Sequence, residues 1–352
     1  MNDVLLPNLA EICAPGMAVA ICDRNGIVWS HARGHADGNG RVAFDLDTIS
    51  SACSITKTMT AAAILVLRDA GLLFLDEPIG AIVPEARAIR YPTSDCAPMT
   101  LRHLLTHTSG LPRGIRELRA QLQREPDERE LLEHLATISL EYAPHTQQKY
   151  SNLGYAVLGV VIARRSGMPY SAFVKERVLE PLGMQDVALF EPDERLEHAA
   201  VPHSIRNGAM HPESRWNHGS YAPAGGLYAS VQSLVRWIRY QISAWPPRDE
   251  PDDARPLSRS TLRESHRIGG LQRPGRNGSC LGWAIDRGSG VGDLVHHSGG
   301  SPSGYASFAG FEPTLGIGIV GLASADVDLE VPLGKVLQAF AVSRGLVEDR
   351  RR

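Results

Sequence analysis

Lysine is scarce in this sequence of 352 residues, whose 36 basic residues include only four lysines, at positions 57, 149, 175 and 335. A codon bias toward arginine explains most of this imbalance. Each remaining lysine still has to be examined, because only an amine readily loses its proton when it is buried, as a catalytic base must. The scarcity therefore draws attention to Lys57, which lies in an apolar segment.

Several other features are missing. No stretch approaches the roughly 20 apolar residues of a membrane span, and the start, Met1–Val4, lacks the basic and apolar regions of an export signal. The five cysteines are irregularly spaced and form neither a disulfide framework nor a C-x-x-C metal pattern. The net charge of −3 provides no basic surface for nucleic acid. We expect a reduced cytoplasmic protein that binds a small molecule, with neither a membrane nor a nucleic acid as partner; the oligomeric state stays open.

Strand patterns occur at both ends of the chain. A hairpin is predicted where Met17–Ile21 and Ile27–Trp29 flank an Asn-Gly turn. Short apolar runs typical of strands return near the carboxyl end, and a last helix over 330–343 is followed by a charged tail; the runs are 281–285, 294–297, 305–308 and 317–320. These patterns predict one sheet built from both ends of the chain.

The middle of the chain is mainly helical in pattern. Residues 54–70 are apolar nearly all round and precede Gly71, which predicts a buried helix that stops there. The charged segment 116–135 is interpreted as a solvated surface helix. We therefore predict a single unit over 1–352, in which 1–53 and 225–352 contain the sheet and 54–224 form a mainly helical subdomain.

Ser54-Ile55-Thr56-Lys57 is the only S-x-x-K sequence in the chain. Residues three apart at the start of a helix share one face, so the hydroxyl of Ser54 and the amine of Lys57 can meet. A serine needs a base to take its proton, and a buried lysine with a lowered pKa can act as that base. Unpaired N–H groups at the helix start favour an oxyanion nearby. By itself this short pattern also fits a serine that caps a helix.

Two further segments change the interpretation. Tyr150-Ser151-Asn152 precedes an apolar run, and His297-Ser298-Gly299-Gly300 follows a strand pattern. With S-x-x-K, they resemble the three signature elements of the penicillin-binding and serine β-lactamase group. The Y-x-N form is similar to that of the class C β-lactamase, D-alanyl-D-alanine carboxypeptidase and family VIII esterase branch. Segments 104–112 and 223–230 resemble the same branch, so the likeness covers nearly the whole chain.

The resemblance implies a fold and a set of roles. The fold is α+β, an antiparallel sheet flanked by helices with a mainly helical insertion. Ser54 is expected to attack a carbonyl and form an acyl-enzyme, while Lys57 and Tyr150 share the proton transfers as a coupled pair. Asn152 is expected to contact the acyl side chain of the substrate and to hold Lys57. The backbone N–H groups of Ser54 and Gly300 are expected to form the oxyanion hole.

The third element departs from the β-lactamases of this branch, which carry lysine where this sequence has His297. A histidine can still donate a hydrogen bond toward Tyr150, but it is mostly neutral near pH 7. Together with Ser298 and Gly299, His297 is expected to bind substrate. The lost positive charge argues against efficient hydrolysis of β-lactams.

Other side chains invite competing interpretations. Cys53 precedes the proposed nucleophile, but in a strand-to-helix turn its side chain should point away from that of Ser54, and buried cysteines are seldom catalysts. Lys149, beside Tyr150, is expected to face solvent. The pairs His103/His107 and His296/His297 lack the further ligands of a metal site, so neither a metal nor a cofactor is expected. No G-x-S-x-G is present, which argues against an α/β-hydrolase.

Three functions remain. The favoured one is a cytoplasmic esterase or amidase that acts on a small ester or amide through acyl-Ser54. An alternative is a D-amino-acid peptidase or carboxypeptidase, or a weak β-lactamase. The last is a binding domain of the penicillin-binding type without catalysis.

Overall fold

A seven-stranded antiparallel sheet forms the centre of the molecule, with strand order β2-β1-β12-β11-β10-β9-β8. The computed structural model describes residues 1–184, 188–189, 196, 198–253, 255–270, 277–301 and 304–348. Smaller sheets of order β3-β7-β4 and β5-β6 lie outside it. The strands are β1 (Gly16–Cys22), β2 (Ile27–Gly34), β3 (Ser50–Ser51), β4 (Ala188–Leu189), β5 (His203–Arg206), β6 (Ala209–Pro212), β7 (Leu227–Ala229), β8 (Asn277–Ser279), β9 (Ala284–Ser289), β10 (Gly292–Ser301), β11 (Tyr305–Glu312) and β12 (Ile317–Ala323).

Helices cover the sheet and fill the middle of the chain. The described α-helices are α1 (Asn2–Leu5), α2 (Thr56–Asp69), α3 (Ile79–Ile82), α4 (Leu101–Leu105), α5 (Arg116–Leu122), α6 (Glu128–Leu135), α7 (Asn152–Ser166), α8 (Tyr170–Val174), α9 (Ala222–Gly225), α10 (Val231–Ser243), α11 (Arg259–Ser265) and α12 (Glu330–Ser343). Short 3₁₀ turns add Leu6–Leu9, Cys53–Ile55, Pro84–Ala88, Glu180–Leu182 and Gly219–Tyr221, and a π-helical turn covers Lys175–Leu179.

Both faces of the sheet are buried, each against a different set of helices. Along β1, Ala18 and Ala20 belong to the core cluster that includes the central helices, whereas Val19 and Ile21 pack with the terminal helices. This alternation follows from the period of two in a strand. The active-site elements lie on the first face, while α12 covers the second.

The fold prediction is confirmed: the structure is α+β, with an antiparallel sheet flanked by helices. Strands from both ends of the chain join where β1 pairs with β12, with Ala20 opposite Val320. The division into subdomains at 53/54 and 224/225 stays a prediction. Among the described residues, none of the helices is both long and apolar enough to cross a membrane. The end of the predicted charged tail, 349–352, lies outside the described residues.

The segment 116–135 differs from its prediction as one solvated helix. It contains two helices, α5 and α6, separated where Gln123 adopts a left-handed φ of 55° and Asp127 begins a capping box with Glu130. Proline 126 cannot continue the first helix, because its ring fixes φ and removes a donor. The break turns Glu125 inward, where it is 8% exposed.

Because His266 is buried, we predict that acid lowers the free energy of unfolding. Its Nδ1 accepts a hydrogen bond from Trp245 Nε1 (3.1 Å) and its Nε2 lies 2.9 Å from Gln241 Oε1, so the neutral ring is satisfied. Burial lowers the pKa of His266 from 6.5 to about 3. The unfolded chain therefore binds more protons between these values, and the free energy of unfolding falls as the pH drops through them.

We expect urea midpoints measured between pH 7 and pH 4 to fall less steeply in His266→Gln than in the wild type. One such group contributes at most about 1.4 kcal/mol per pH unit. Equal slopes in the two proteins would assign the acid sensitivity to other groups.

Candidate active site

Ser54 lies in the 3₁₀ turn Cys53–Ile55, immediately before α2. The turn is anchored on the sheet, because Ser307 Oγ donates to the carbonyl of Ala52 over 2.8 Å. Cys53 has a φ of 46°, a left-handed conformation that is unusual for any residue with a side chain. Such local strain persists only where the surroundings impose it, and it often accompanies functional sites.

Gly299 allows strand β10 to lie directly against this turn. A Cβ atom at position 299 would lie 2.5 Å from Cys53 Cβ and 2.6 Å from the backbone nitrogen of Ser54. Because real Cβ contacts are never so short, no larger residue fits without a shift of the backbone. Gly300 follows and lines a cavity together with Ser54.

Lys57 occupies the predicted position beside Ser54. It is completely buried, with its Nζ 3.1 Å from Ser54 Oγ, and it also donates to the carbonyl of Ala224. Burial, and to a lesser extent the charge of Arg113, lowers the pKa of Lys57 well below 10.5. An amine in this setting tends to be neutral, which is the form that can accept a proton.

Tyr150 completes the arrangement. Its hydroxyl donates to Ser54 Oγ over 2.8 Å, and its ring centroid lies 4.9 Å from Lys57 Nζ. Burial raises the pKa of Tyr150 to about 12. Burial therefore disfavours the charged forms of both groups, so the free site holds a neutral tyrosine that keeps its proton and a lysine that tends to lose its own.

His107 orients this tyrosine, a role that the sequence analysis missed. Its Nδ1 accepts from the backbone N–H of Ser151 over 3.1 Å. Its ring lies 4.5 Å from that of Tyr150 and 5.2 Å from that of Tyr155. Burial lowers the pKa of His107 well below 6.5, so it accepts this bond as a neutral ring. The signal in the sequence was its place in segment 104–112.

Asn152 borders a cleft of ≈ 560 Å³ that opens beside Ser54 and is named here the Trp216 cleft. Its Oδ1 is buried and has no hydrogen-bond partner among the described residues. Lys57 donates to the carbonyl of Ala224, and the predicted hold of Asn152 on Lys57 stays a prediction. A buried polar atom without a partner calls for an explanation, and Asn152 borders the cleft in which a substrate would bind.

Charged side chains form the far wall of the Trp216 cleft. Arg119 Nε lies 2.6 Å from Glu125 Oε2, and Trp216 Nε1 donates to Glu125 Oε1 over 3.1 Å. The Arg119 guanidinium also lies 4.3 Å over the ring of Tyr221. Arg119 and Glu125 could not be recognised from the sequence, because their segment, 116–135, has the composition of a surface helix.

His297 faces the site as predicted, but its predicted hydrogen bond to Tyr150 needs correction. Its Nδ1 lies 2.8 Å from the carbonyl oxygen of Ser298, which can only accept. Burial lowers the pKa of His297 to about 3, so the ring is neutral and has a single N–H. Because Ser298 takes that N–H, Nε2 can accept a hydrogen bond but cannot donate one to Tyr150.

Arg113 is another residue that the sequence analysis missed. It lines a second cleft, of ≈ 470 Å³, named here the Arg113 cleft, together with Tyr150, His297 and Ser298. The guanidinium carbon lies 5.1 Å from the ring centroid of Tyr150. No described carboxylate forms a salt bridge with it. The cleft, which His297 also lines, therefore has a permanent positive charge.

Competing candidates have ordinary structural partners. The thiol of Cys53 contacts the carbonyl oxygens of Ser51 and Tyr305, and burial raises its pKa to about 11, which keeps it protonated. Lys149 is solvent-exposed and pairs with Glu141. The ring of His103 accepts from the backbone N–H of Thr100 as part of a helix cap.

Comparison with known proteins agrees with this geometry. The family model described as "Beta-lactamase" matches residues 5–341. The D-alanyl-D-alanine-carboxypeptidase/endopeptidase AmpH of Escherichia coli K12 is 28% identical over 315 residues, which cover 87% of this chain and 78% of that protein. Protein flp of Staphylococcus aureus N315 is 24% identical, covering 88% of this chain and 59% of the relative.

Solved structures share the fold. The octameric penicillin-binding protein homologue from Pyrococcus abyssi superposes with a TM-score of 0.80 at 26% identity, covering 98% of this chain and 76% of that one. A β-lactamase/D-alanine carboxypeptidase from Pseudomonas syringae has a TM-score of 0.78 at 21% identity, covering 96% and 98% of the two chains. With the family model matched over nearly the whole chain, the protein belongs to the β-lactamase family of serine hydrolases, which includes penicillin-binding proteins.

Proposed function

We propose that the protein hydrolyses small esters or amides through an acyl-enzyme on Ser54. The observation that carries the proposal is the position of Ser54 Oγ, 3.1 Å from a buried amine and 2.8 Å from a tyrosine hydroxyl. A nucleophile within hydrogen-bond reach of its base is the arrangement that covalent catalysis requires. A cytoplasmic location stays a prediction from the sequence.

The chemistry follows from the protonation states. As Ser54 Oγ attacks the substrate carbonyl, neutral Lys57 takes the hydroxyl proton. The backbone N–H groups of Ser54 and Gly300 stabilise the oxyanion, and each such donor is typically worth roughly 10²- to 10³-fold in rate. Tyr150, which keeps its proton in the free site, donates it to the leaving group as the tetrahedral intermediate collapses, and then recovers a proton from Lys57. Water hydrolyses the acyl-enzyme by the reverse proton route.

We assign a different part of the substrate to each of the two clefts. The Trp216 cleft is bordered by Asn152, so it is assigned to the acyl group. Its wall has Arg119 and Glu125, a charged pair that limits long alkyl chains and favours short or polar acyl groups. The Arg113 cleft also borders Ser54 and is assigned to the leaving group.

A substrate panel tests the proposal. We expect short-chain p-nitrophenyl esters to give a burst of p-nitrophenol followed by steady turnover, and a fluorophosphonate to label Ser54, as shown by peptide mass spectrometry. Rapid nitrocefin turnover without ester turnover would contradict the esterase assignment. The absence of any fluorophosphonate adduct on Ser54 would favour the non-catalytic binding domain.

Tyr150→Phe is expected to lower kcat on an amide by about 10²- to 10⁴-fold, the usual contribution of a positioned acid or base. The loss should be smaller on p-nitrophenyl esters, because p-nitrophenolate leaves without a proton. The ratio of the two losses is the measurement. Equal losses on both substrates would mean that Tyr150 acts on the attack of Ser54 and not on the leaving group.

A D-amino-acid carboxypeptidase is the second candidate, and the Arg113 cleft favours it. An unpaired guanidinium beside the leaving group suits a substrate whose leaving group ends in a carboxylate. AmpH, a relative of this chain, is named as a D-alanyl-D-alanine-carboxypeptidase. In contrast, neutral His297 provides no second fixed charge for a β-lactam carboxylate.

Arg113→Ala distinguishes the two candidates. If a carboxylate binds there, the ratio of kcat/KM for an acyl-D-alanyl-D-alanine over its C-terminal amide should fall by about 10- to 100-fold, the worth of one hydrogen bond to a charged group. The exposed neighbour Arg116→Ala is the matched control and should keep the ratio. An unchanged ratio in Arg113→Ala would remove this support for the carboxypeptidase.

A further inference from the structure

A group of metal-ligating side chains borders the Arg113 cleft, which also borders Ser54. Asp286 on β9, His296 on β10 and Glu330 at the start of α12 each offer one ligand atom, and these atoms lie within 4.8 Å of one another. From the sequence alone, the His296/His297 pair is not expected to bind a metal, because no further ligand lies near it in the chain. The fold supplies the other ligands from two different elements.

The strand register brings these side chains to one face. Asp286 pairs with Leu294, and His296 pairs with Ala284, so all four lie on the same side of the β9–β10 ladder. Leu294 belongs to the core cluster formed with α12. His297, the next residue, points to the opposite face of the ladder, although both histidines border the Arg113 cleft.

His296 is the unexplained member of the group. It is 5% exposed, yet neither ring nitrogen has a hydrogen-bond partner within the described part of the chain. Asp286 Oδ2 lies 3.4 Å from its Nε2, too far and too poorly aligned for a good hydrogen bond. A buried polar group without a partner costs about 1–3 kcal/mol, so such a group calls for an explanation.

An ordinary ion pair explains only part of the arrangement. It accounts for Asp286, whose pKa is lowered by the contact with His296. The carboxylate of Glu330 in the first turn of α12 is also favourable by itself, because helix N-termini attract negative charge. Neither interaction satisfies the imidazole or explains why two carboxylates converge on it.

We propose that Asp286, His296 and Glu330 bind a divalent transition-metal ion, with Zn²⁺ as the preferred ion. Imidazole nitrogen and carboxylate oxygen are both zinc ligands, whereas Ca²⁺ and Mg²⁺ select oxygen ligands alone. Glu330 is accessible to solvent and can adjust its rotamer to close the remaining distance. Waters complete the coordination sphere.

The bound ion would join β9, β10 and α12. Because β10 continues from His296 into Ser298 and Gly300, the site would also fix the strand that borders the active site. This role is structural, so the proposal does not depend on which substrate Ser54 attacks.

Zinc binding to the full chain tests the inference. After chelation and removal of the chelator, equilibrium dialysis against ZnCl₂ should show a stoichiometric site that Glu330→Gln weakens at least about tenfold and Asp286→Asn/Glu330→Gln abolishes. Asp293→Asn is the matched control, since Asp293 is a carboxylate of β10 outside the group. Zn²⁺ should raise the melting temperature of the wild type and of the control, but not that of the double variant.

Glu330→Gln keeps the test informative if the double variant fails to fold, because its side chain is accessible to solvent. Dialysis against CaCl₂ or MgCl₂ should leave the site empty at concentrations at which Zn²⁺ fills it. Equal Zn²⁺ stoichiometry, affinity and thermal shift in wild type and Glu330→Gln would overturn the proposal. So would the absence of any zinc-dependent shift in the wild type.

Discussion

Ser54→Ala is expected to abolish turnover of p-nitrophenyl esters, with a loss on the order of 10⁶-fold in kcat, as found when the nucleophile of a serine hydrolase is removed. The physical reason is that no other described nucleophile lies between the base and the acid of this site. Lys57 Nζ and Tyr150 Oη both converge on Ser54 Oγ. Steady-state kinetics and whole-protein mass after fluorophosphonate treatment measure the effect.

The control for this variant is Ser94→Ala, which removes an exposed serine from a surface loop. It should retain wild-type kinetics and label fully. If Ser54→Ala still forms a fluorophosphonate adduct, peptide mapping will identify the true nucleophile, and an adduct on Cys53 would restore the cysteine-hydrolase interpretation.

Lys57→Met is expected to lower kcat/KM by about 10²- to 10⁴-fold, the usual contribution of a general base. Methionine fills a similar volume and cannot accept the proton of Ser54. Because the pKa of Lys57 is well below 10.5, we expect the wild type to remain active at neutral pH. Activity should decline toward acid as Lys57 becomes protonated, and the pH profile of kcat/KM measures that limb.

The same substitution is expected to raise the melting temperature at pH 7. The pKa of Lys57 is lower in the folded state than in the unfolded state, so the unfolded chain binds more protons between the two values and stability falls as the pH drops through them. The buried amine therefore lowers the free energy of unfolding. Replacing it with an apolar group of similar size removes this cost of burial.

Lys149→Met serves as the matched control, because Lys149 is exposed and pairs with Glu141 at the surface. It should change neither activity nor stability by much, since exposed ion pairs contribute about 0–1 kcal/mol. A Lys57→Met protein that keeps its activity would assign the base to another group. One that is less stable than the wild type would show that the amine is stabilised by its contacts with Ser54 and Ala224.

Local patterns in the sequence account for much of the site. Buried helix α2 follows from an uninterrupted apolar segment that ends at Gly71, whose φ of 76° is the left-handed stop expected there. Ser54 and Lys57 meet because residues three apart share a helix face. The alternation of side chains in a strand separates His296 from His297. Each of these follows from the periodicity of a single element.

Such local patterns do not predict contacts between segments that are distant in the chain. Arg119 and Glu125 belong to a segment with the composition of a surface helix, yet Arg119 lies over the ring of Tyr221 and pairs with Glu125 across the break between α5 and α6. The role of His297 as acceptor depends on its burial and on the Ser298 carbonyl, which set its pKa and its tautomer.

The sequence by itself determined the family, the α+β fold and the three side chains proposed for catalysis, because these depend on motifs and on the periods of helix and strand. Only the tertiary structure decided their electrostatics. Burial disfavours the charged forms of Lys57 and of Tyr150. Arg113, near the ring of Tyr150, is then the fixed cation of its cleft. A pKa depends on everything packed around the group, and residues far apart in the chain provide that packing.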